Sequence, residues 1–363
     1  LPLIGLLEEK GQAIPVVCVL ADNSILARIG APHESGKVVR IVGDSVQDVE
    51  SDGFFGYDPN KKFFAYSRTG GIEIREGWDG NQVTFCPWPT GLEGIPNGFD
   101  VQPFDGFLVP THLVPFPDGK RVLLVSSDGI FVLSAEKADR LLPTTDQLKE
   151  HFTWLQKEYP DDELSMGLSM EHGAISHDGK YIAVGSQDST HLLFDEELKL
   201  VGNVGNRSEY PHYALFNSDD SMVAANSCHF YNGVTLGVPT KLLLGLVTAP
   251  YGEDERITVL EKSSRVYAGT ARKDEFIIGD ASGYVRAFGT DANPRWQLFI
   301  GSSVGDIDLS ADGSTLAVST YAGFLSIIKM DAGKQAPHQI GTSQHMETRR
   351  WIFWKNEKTP LIW

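Results

Sequence analysis

Short apolar runs alternate with small polar turns along the chain. In the clearest copy, Ala174–Ile175 precede the turn Ser176–Gly179, and the apolar run Tyr181–Val184 follows it. Asp and Gly tolerate the positive φ of tight hairpin turns, so short apolar runs on both sides of such a turn indicate paired β-strands. The pattern therefore predicts an all-β chain of antiparallel hairpins.

The same unit recurs at intervals along the sequence. The turns of the four clear copies are Asp118–Gly119, Asp178–Gly179, Asp219–Asp220 and Asp312–Gly313, with looser copies at 57–62 and 272–275. A repeat of about 40–50 residues with several short strands is typical of a β-propeller. Dividing 363 residues among seven units gives about 52 each. We therefore expect a seven-bladed β-propeller of four-stranded antiparallel blades.

One segment, 144–158, has the spacing of a helix instead. Its apolar side chains fall on one helical face, at Leu148, Phe152 and Leu155. Thr144 or Thr145 can cap its start, and Pro160 ends it. We expect a helical insertion near 135–165 that packs outside the blades; a helix that docks a partner is the alternative.

The two ends of the sequence are also apolar. Residues 350–363 resemble a strand, a polar turn and a second strand, and Leu1–Leu7 resembles another short strand. A ring without open sheet edges must close, so we expect both termini to share one blade of a single domain, 1–363. Trp351, Trp354 and Trp363 would then fill the space between blades, or else form an exposed aromatic patch.

The net charge of the chain indicates which class of molecule it can bind. The chain carries 31 Lys and Arg against 48 Asp and Glu, a net charge of −17. Such a surface repels phosphate backbones and anionic lipids, which disfavours nucleic-acid and membrane binding and favours a basic protein partner. No apolar run is long enough for a transmembrane helix.

The three cysteines, Cys18, Cys86 and Cys228, are too few and too far apart for a disulfide framework or a CxxC zinc site. Buried, reduced thiols are expected, which favours a cytoplasmic location. Leu1–Leu7 lacks the basic start of a signal peptide, although removal of an earlier signal stays open.

The repeated Asp-Gly-Lys units resemble those of the WD40-like and YVTN/quinoprotein-like β-propeller superfamily. His191–Asp195 stands where such repeats place their Trp-Asp ending. The sequence lacks their Gly-His dyad, and Trp78–Asp79 falls in a turn. The resemblance implies the propeller fold, whose members include scaffolds, inhibitors, lactonases and quinone-dependent dehydrogenases, so the fold alone does not select a function.

Aligning the repeats on their turns places four polar residues at one position, six residues before each turn Asp. They are His112, His172, Tyr213 and Asp306. This strand is the innermost of a blade, so these side chains should ring one mouth of the central channel, with Glu171 and His212 beside them. They could bind a ligand or metal, although hydrogen bonding between neighbouring loops is the ordinary alternative.

The sequence contains no G-x-S-x-G, HExxH or P-loop motif. We therefore expect a non-catalytic protein-binding module without cofactor or metal, monomeric alone, acting as a scaffold or as a cognate inhibitor or immunity protein. The alternative is a lactonase-like hydrolase or quinone-type enzyme at the channel mouth, using His112, His172 and Asp306.

The loops that follow the second strand of each blade should form the binding face, because rigid scaffolds present recognition residues on loops. The segments are Ser67–Gly70, Ser127–Gly129, Gln187–Ser189, Ala281–Gly283 and Tyr321–Gly323. Their candidate contact residues are Arg68, Asp128, Asp188, Ser282 and Tyr321.

Overall fold

The computed structural model describes residues 11–51, 53–106, 108–355 and 357–363, which form seven β-sheets. Blade 1 contains β1 (Val16–Val19), β2 (Ile25–Ile29), β3 (Lys37–Val42) and β4 (Ser45–Val49). Blade 2 contains β5 (Phe55–Tyr57), β6 (Phe63–Arg68), β7 (Gly71–Glu76) and β8 (Gln82–Pro87). Blade 3 contains β9 (Pro110–Pro115), β10 (Arg121–Ser126), β11 (Gly129–Ser134) and β12 (Ala138–Leu142).

The other four blades follow in chain order. Blade 4 contains β13 (His172–Ile175), β14 (Tyr181–Gly185), β15 (His191–Asp195), β16 (Leu200–Val204) and β20 (Leu246–Val247). Blade 5 contains β17 (Tyr210–Phe216), β18 (Met222–His229), β19 (Asn232–Pro239) and β21 (Thr258–Glu261). Blade 6 contains β22 (Val266–Arg272), β23 (Glu275–Asp280), β24 (Tyr284–Gly289), β25 (Pro294–Phe299) and β29 (Ile340–Gly341). Blade 7 contains β26 (Val304–Leu309), β27 (Thr315–Thr320), β28 (Phe324–Lys329), β30 (Met346–Ile352) and β31 (Leu361–Ile362). A 3-10 turn, Thr240–Leu242, follows β19.

The seven sheets stand in a ring. The first strand of each blade lies beside the first strands of its two neighbours, and β26 of blade 7 lies beside β1 of blade 1. This arrangement confirms the seven-bladed β-propeller. The prediction of four strands holds for blades 1, 2, 3 and 5, whereas blades 4, 6 and 7 each add a two-residue fifth strand at the outer edge.

The core lies between the blades, and one strand shows why the apolar runs are continuous. On β10, Val122 and Leu124 pack towards blade 2, whereas Leu123 and Val125 pack towards blade 4. Both faces of a blade are therefore buried, and a buried strand needs apolar residues at successive positions.

The repeated turns have a common mechanism. The carboxylates of Asp118, Asp178, Asp219 and Asp312 each accept a hydrogen bond from the backbone N–H two residues later, at 2.8–3.0 Å. The next residue has a positive φ: 67° at Gly119, 74° at Gly179 and 69° at Gly313. In the copy without glycine, Asp220 adopts 56°. Asp tolerates this left-handed region better than most residues, which explains why that copy still forms its turn.

The inserted helix, α1, spans Thr145–Glu158 and lies within the predicted segment. Thr144 caps its start, and its hydroxyl and the Gln147 side chain form a reciprocal capping box. Leu148 and Phe152 are buried, and the Phe152 ring lies 5.5 Å from that of Phe99. The helix therefore packs on the segment that joins blades 2 and 3. No helix in the described ranges is long and apolar enough to cross a membrane.

The segment that precedes β1 contacts the segment that follows β30 and the end of β27. Gln12 donates its backbone N–H to Phe353, and Ile14 donates to Thr320. Trp351 is buried, whereas Trp363 is 56% exposed, so the tryptophans do not act as one interblade set. The predicted strand Leu1–Leu7 lies outside the described residues, and blade sharing by the two termini stays a prediction. The three cysteines are free and buried.

Candidate binding face and central channel

The strand order gives the ring two distinct faces. We call the side of the first-to-second strand connections, which carries the Asp-Gly turns, the turn face. The opposite side, with the second-to-third strand connections, is the loop face. All five predicted loops lie at second-to-third connections, and the equivalent connection of blade 5 is Phe230–Tyr231.

A cavity of about 850 Å³ follows the central channel. His112, His172, Tyr213 and Asp306 all line it, each from an innermost strand, as the repeat alignment predicts. Glu171 and His212 are buried beside it. Glu171 accepts a hydrogen bond from Thr111 of blade 3, and Nδ1 of His212 lies 2.6 Å from the carbonyl oxygen of Val266 in blade 6. Glu171 and His212 therefore join neighbouring blades.

Histidines concentrate on one side of the channel. The Nε2 atom of His172 lies 3.1 Å from Nδ1 of His191, and its Nδ1 lies 3.0 Å from the carbonyl oxygen of Met170. Burial lowers the pKa of His112 and of His172 to about 4, and burial lowers the pKa of His212 to about 3. These imidazoles are therefore neutral at pH 7.

Asp306 connects blade 7 to blade 1. Its Oδ2 accepts the backbone N–H of Val17 at 2.7 Å, and Tyr57 of blade 2 donates its hydroxyl to the Val17 carbonyl at 2.8 Å. Asp308 repeats the arrangement two residues further along β26, with Val19 and Lys61 as donors. Burial raises the pKa of Asp306 to about 8. The carboxyl groups of Asp306 and Asp308 thus accept the backbone N–H groups of Val17 and Val19 on the inner strand of blade 1.

Contacts between blades thus engage several polar groups at the channel: Glu171, His212, Tyr213, Asp306 and Asp308. Among the described residues, no group of three or more His, Cys, Asp or Glu is placed to hold a metal ion. His112, His172 and Asp306 are therefore not grouped as metal ligands in this part of the chain. The enzyme alternative also allows them to act as acid–base groups, and that version stays a prediction.

The predicted loop residues differ in how freely they face solvent. Arg68 forms an ion pair with Glu73 at 2.8 Å, and Tyr321 packs edge-on against Tyr267 with ring centres 5.5 Å apart. Asp128 is half-buried, and burial raises its pKa. Asp188 and Ser282 are exposed. Asp188 is therefore the predicted carboxylate best placed to meet a partner.

The most exposed aromatic pair of the loop face is Phe230–Tyr231. The two side chains are 73% and 65% exposed at the tip of the β18–β19 hairpin. Phe230 has a φ of 50°, a left-handed conformation that a two-residue turn usually assigns to Asn or Gly. An aromatic residue there costs about 1 kcal/mol in backbone strain and exposes its ring to water. Both effects disfavour folding, so the stability of the fold does not explain why aromatic residues occupy this turn.

His229 and Glu209 lie at the base of this tip, and Tyr251 and Asp188 lie near Tyr210 at the start of β17. His229 stacks edge-on against Phe230 with ring centres 4.4 Å apart, and its Nδ1 lies 2.5 Å from Oε2 of Glu209. Tyr251 is 60% exposed, and its backbone N–H donates to Asn206 in the loop that enters blade 5. The hydrogen bond to Glu209 raises the pKa of Tyr210, and nearby Tyr251 and Asp188 raise it further.

We call Asp188, Glu209, Phe230, Tyr231 and Tyr251 the blade 5 patch. The predicted contact residues include Asp188 but not the other four, because the predicted loops follow turns recognised by Asp and Gly. Asn232–Gly233, a strong two-residue turn signal, directly follows Phe230–Tyr231, but both residues lie in β19. The sequence thus points to this hairpin and places its tip two residues too late.

Solved structures give the comparison for the fold. No protein-family model and no curated protein sequence matches this chain. The crystal structure of the Myceliophteria thermophila Cps50 (Swd1) β-propeller domain is similar with a TM-score of 0.54 and 10% identity, covering 84% of this chain and 92% of that chain. The computationally designed Ika8 protein is similar with a TM-score of 0.50 and 14% identity, covering 87% of this chain and 96% of that chain. At such identities the likeness concerns the fold alone: this chain is a β-propeller.

Proposed function

We propose that the protein is a non-catalytic binding module that holds a basic protein partner on its loop face, as a scaffold or cognate inhibitor. The observation that carries the proposal is Phe230–Tyr231, an exposed aromatic pair in a turn where folding favours small residues. Aromatic side chains are the usual anchors of protein interfaces, since they bury large areas with few rotatable bonds.

The charge distribution supports a basic partner. The chain has a net charge of −17; Glu209 contacts His229 next to the aromatic tip, and Asp188 lies near Tyr210 at the start of β17. Carboxylates at an interface rim attract a cationic partner and speed its association, while the aromatic rings supply the contact that persists. Rings next to carboxylates also favour lysine and arginine through cation–π attraction.

Affinity purification from native extract tests the proposal with three forms of the protein. The double variant Phe230→Ser/Tyr231→Ser removes the tip, and Leu244→Ser/Val247→Ser removes an equally exposed apolar pair at the outer edge of blade 4. We expect a basic protein to be recovered with the wild type and the control. Loss of two central anchors should reduce its recovery at least ten-fold, since each costs about 2 kcal/mol or more. Equal recovery with the tip variant would contradict the proposal.

A further inference from the structure

The outer surface of α1 carries an aromatic ridge that the fold does not use. Trp154 is 48% exposed and Tyr159 is 50% exposed, with ring centres 5.6 Å apart in an edge-on contact. The ring of His151 lies 5.8 Å from Trp154 on the other side. The helix is anchored by Leu148 and Phe152, and the rings of Trp154 and Tyr159 stand on its solvent side. His151 is half-buried, and its Nε2 lies 3.0 Å from the carbonyl oxygen of Ser165.

Glutamates flank the indole along the same ridge. Glu150 and Glu158 lie four residues before and after Trp154, one helical turn away on each side, and both are exposed. An indole face is the strongest aromatic partner for a cation, and carboxylates one turn away add charge-assisted hydrogen bonds. Glu158 pairs with Lys157 at 2.7 Å, an exposed and therefore weak ion pair that a partner's cation can replace. Trp154 and Glu150 give the ridge the composition of a site for a guanidinium or ammonium group.

The C-terminal end of α1 is acidic, whereas a helix C-terminus is stabilised by basic residues. Residues 150–163 contain five acidic residues and one lysine, and four of the acids, Glu158, Asp161, Asp162 and Glu163, lie at or just beyond the C-terminus of α1. A helix C-terminus carries partial negative charge, so acids there destabilise the helix. A basic partner segment would offset that repulsion.

We infer that the α1 ridge is a second docking site, which receives an arginine- or lysine-bearing segment of the basic partner over Trp154. The inference rests on the proposed function only in taking the partner to be basic. Two separated contacts on one scaffold would raise the overall affinity by making the second contact intramolecular.

The test uses a defined probe: a 12-residue peptide with four arginines spaced by glycine and serine, and its neutral citrulline counterpart. The readout is the indole ¹H–¹⁵N spectrum, in which Trp154→Phe identifies the Trp154 peak among the seven tryptophans. We expect the arginine peptide to shift that peak saturably and the citrulline peptide to leave it unchanged. The unmoved indole peaks report that the fold is intact.

Matched variants separate this site from general attraction to an acidic protein. Glu150→Gln/Glu158→Gln should weaken the titration of Trp154 about five-fold. Glu196→Gln/Glu197→Gln removes the same charge from exposed positions between β15 and β16 and should weaken it less than two-fold. Equal weakening by both pairs, or no shift of Trp154, would overturn the inference. The Phe230→Ser/Tyr231→Ser variant should leave the titration unchanged, so this site stands or falls independently of the blade 5 patch.

Discussion

The carboxylate of Asp306 lies 2.7 Å from the backbone nitrogen of Val17, a residue 289 positions earlier in the chain. Tyr57 donates to the carbonyl of the same residue. Blade 1 is thus held at its inner edge by a side chain from blade 7 on one side and a side chain from blade 2 on the other. Side-chain contacts of this kind join the ends of the described ring.

Loss of the Asp306 acceptor should destabilise the ring closure. Asp306→Ala leaves the Val17 N–H shielded without its acceptor, and the expected cost is about 1–3 kcal/mol in the free energy of unfolding. Asp306→Asn keeps an oxygen acceptor at that position and should cost less. Urea denaturation of both variants and the wild type measures the difference. If Asp306→Ala were as stable as the wild type, the contact with Val17 would contribute nothing to stability.

The channel histidines should make the fold sensitive to acid. The unfolded chain takes up protons at His112 and His172 near pH 6.5, whereas burial holds their pKa values in the folded protein at about 4. The unfolded state therefore binds more protons between these values, and stability falls as the pH falls from about 6.5 to about 4.

His112→Gln removes one of these groups and should flatten that decline, with His33→Gln at an exposed site as the control. Asp306 has the opposite effect. Its pKa is about 8 in the folded protein and about 4 in the unfolded chain, so the folded state binds more protons between these values. Its contribution to stability is therefore present at low pH and is lost as the pH rises from about 4 to about 8. Each variant must therefore be compared with wild type across the whole pH series. An unchanged slope for His112→Gln would refute the role of His112.

The repeats made much of this fold predictable. The turns at Asp118, Asp178 and Asp312 marked the strand register, and the fixed offset from them placed His112 and His172 on the channel. Contacts such as Asp306 with Val17 join distant positions whose pairing leaves no local pattern in the sequence. The fifth strands β20, β29 and β31 have two residues each, which is too short to show a strand periodicity.

Replacing Phe230 should weaken partner binding without lowering the stability of the fold. Phe230→Gly relieves the left-handed strain at φ 50°, so we expect the free energy of unfolding to stay unchanged or rise by up to about 1 kcal/mol. The same variant should bind the partner more weakly, since it loses an exposed anchor. Thermal or urea unfolding combined with a binding measurement checks both signs. A large loss of stability would mean that the ring supports the hairpin instead.

The C-terminal residues should separate into two groups. Trp351, Ile352 and Phe353 are buried, whereas Leu361 and Trp363 are mostly exposed. Removing residues 356–363 should therefore leave cooperative unfolding nearly intact. Removing residues 351–363 deletes buried aromatic area worth about 3–5 kcal/mol for each large side chain, comparable with the stability of a domain. Calorimetry of the two truncated proteins tests this. Similar melting temperatures would show that the buried side chains of Trp351, Ile352 and Phe353 contribute little to stability.

Site-specific photocrosslinking shows most directly whether a basic protein binds to the loop face. A benzophenone amino acid replaces Tyr231 on the loop face in one protein and Glu196, in the β15–β16 connection on the turn face, in another. Both proteins are irradiated in their native cells, and the adducts are mapped by mass spectrometry. We expect one discrete adduct from position 231, attached to a lysine- or arginine-rich segment of a partner protein, and no adduct with that protein from position 196. The same adduct from both positions, or none from position 231, would contradict a loop-face binding module.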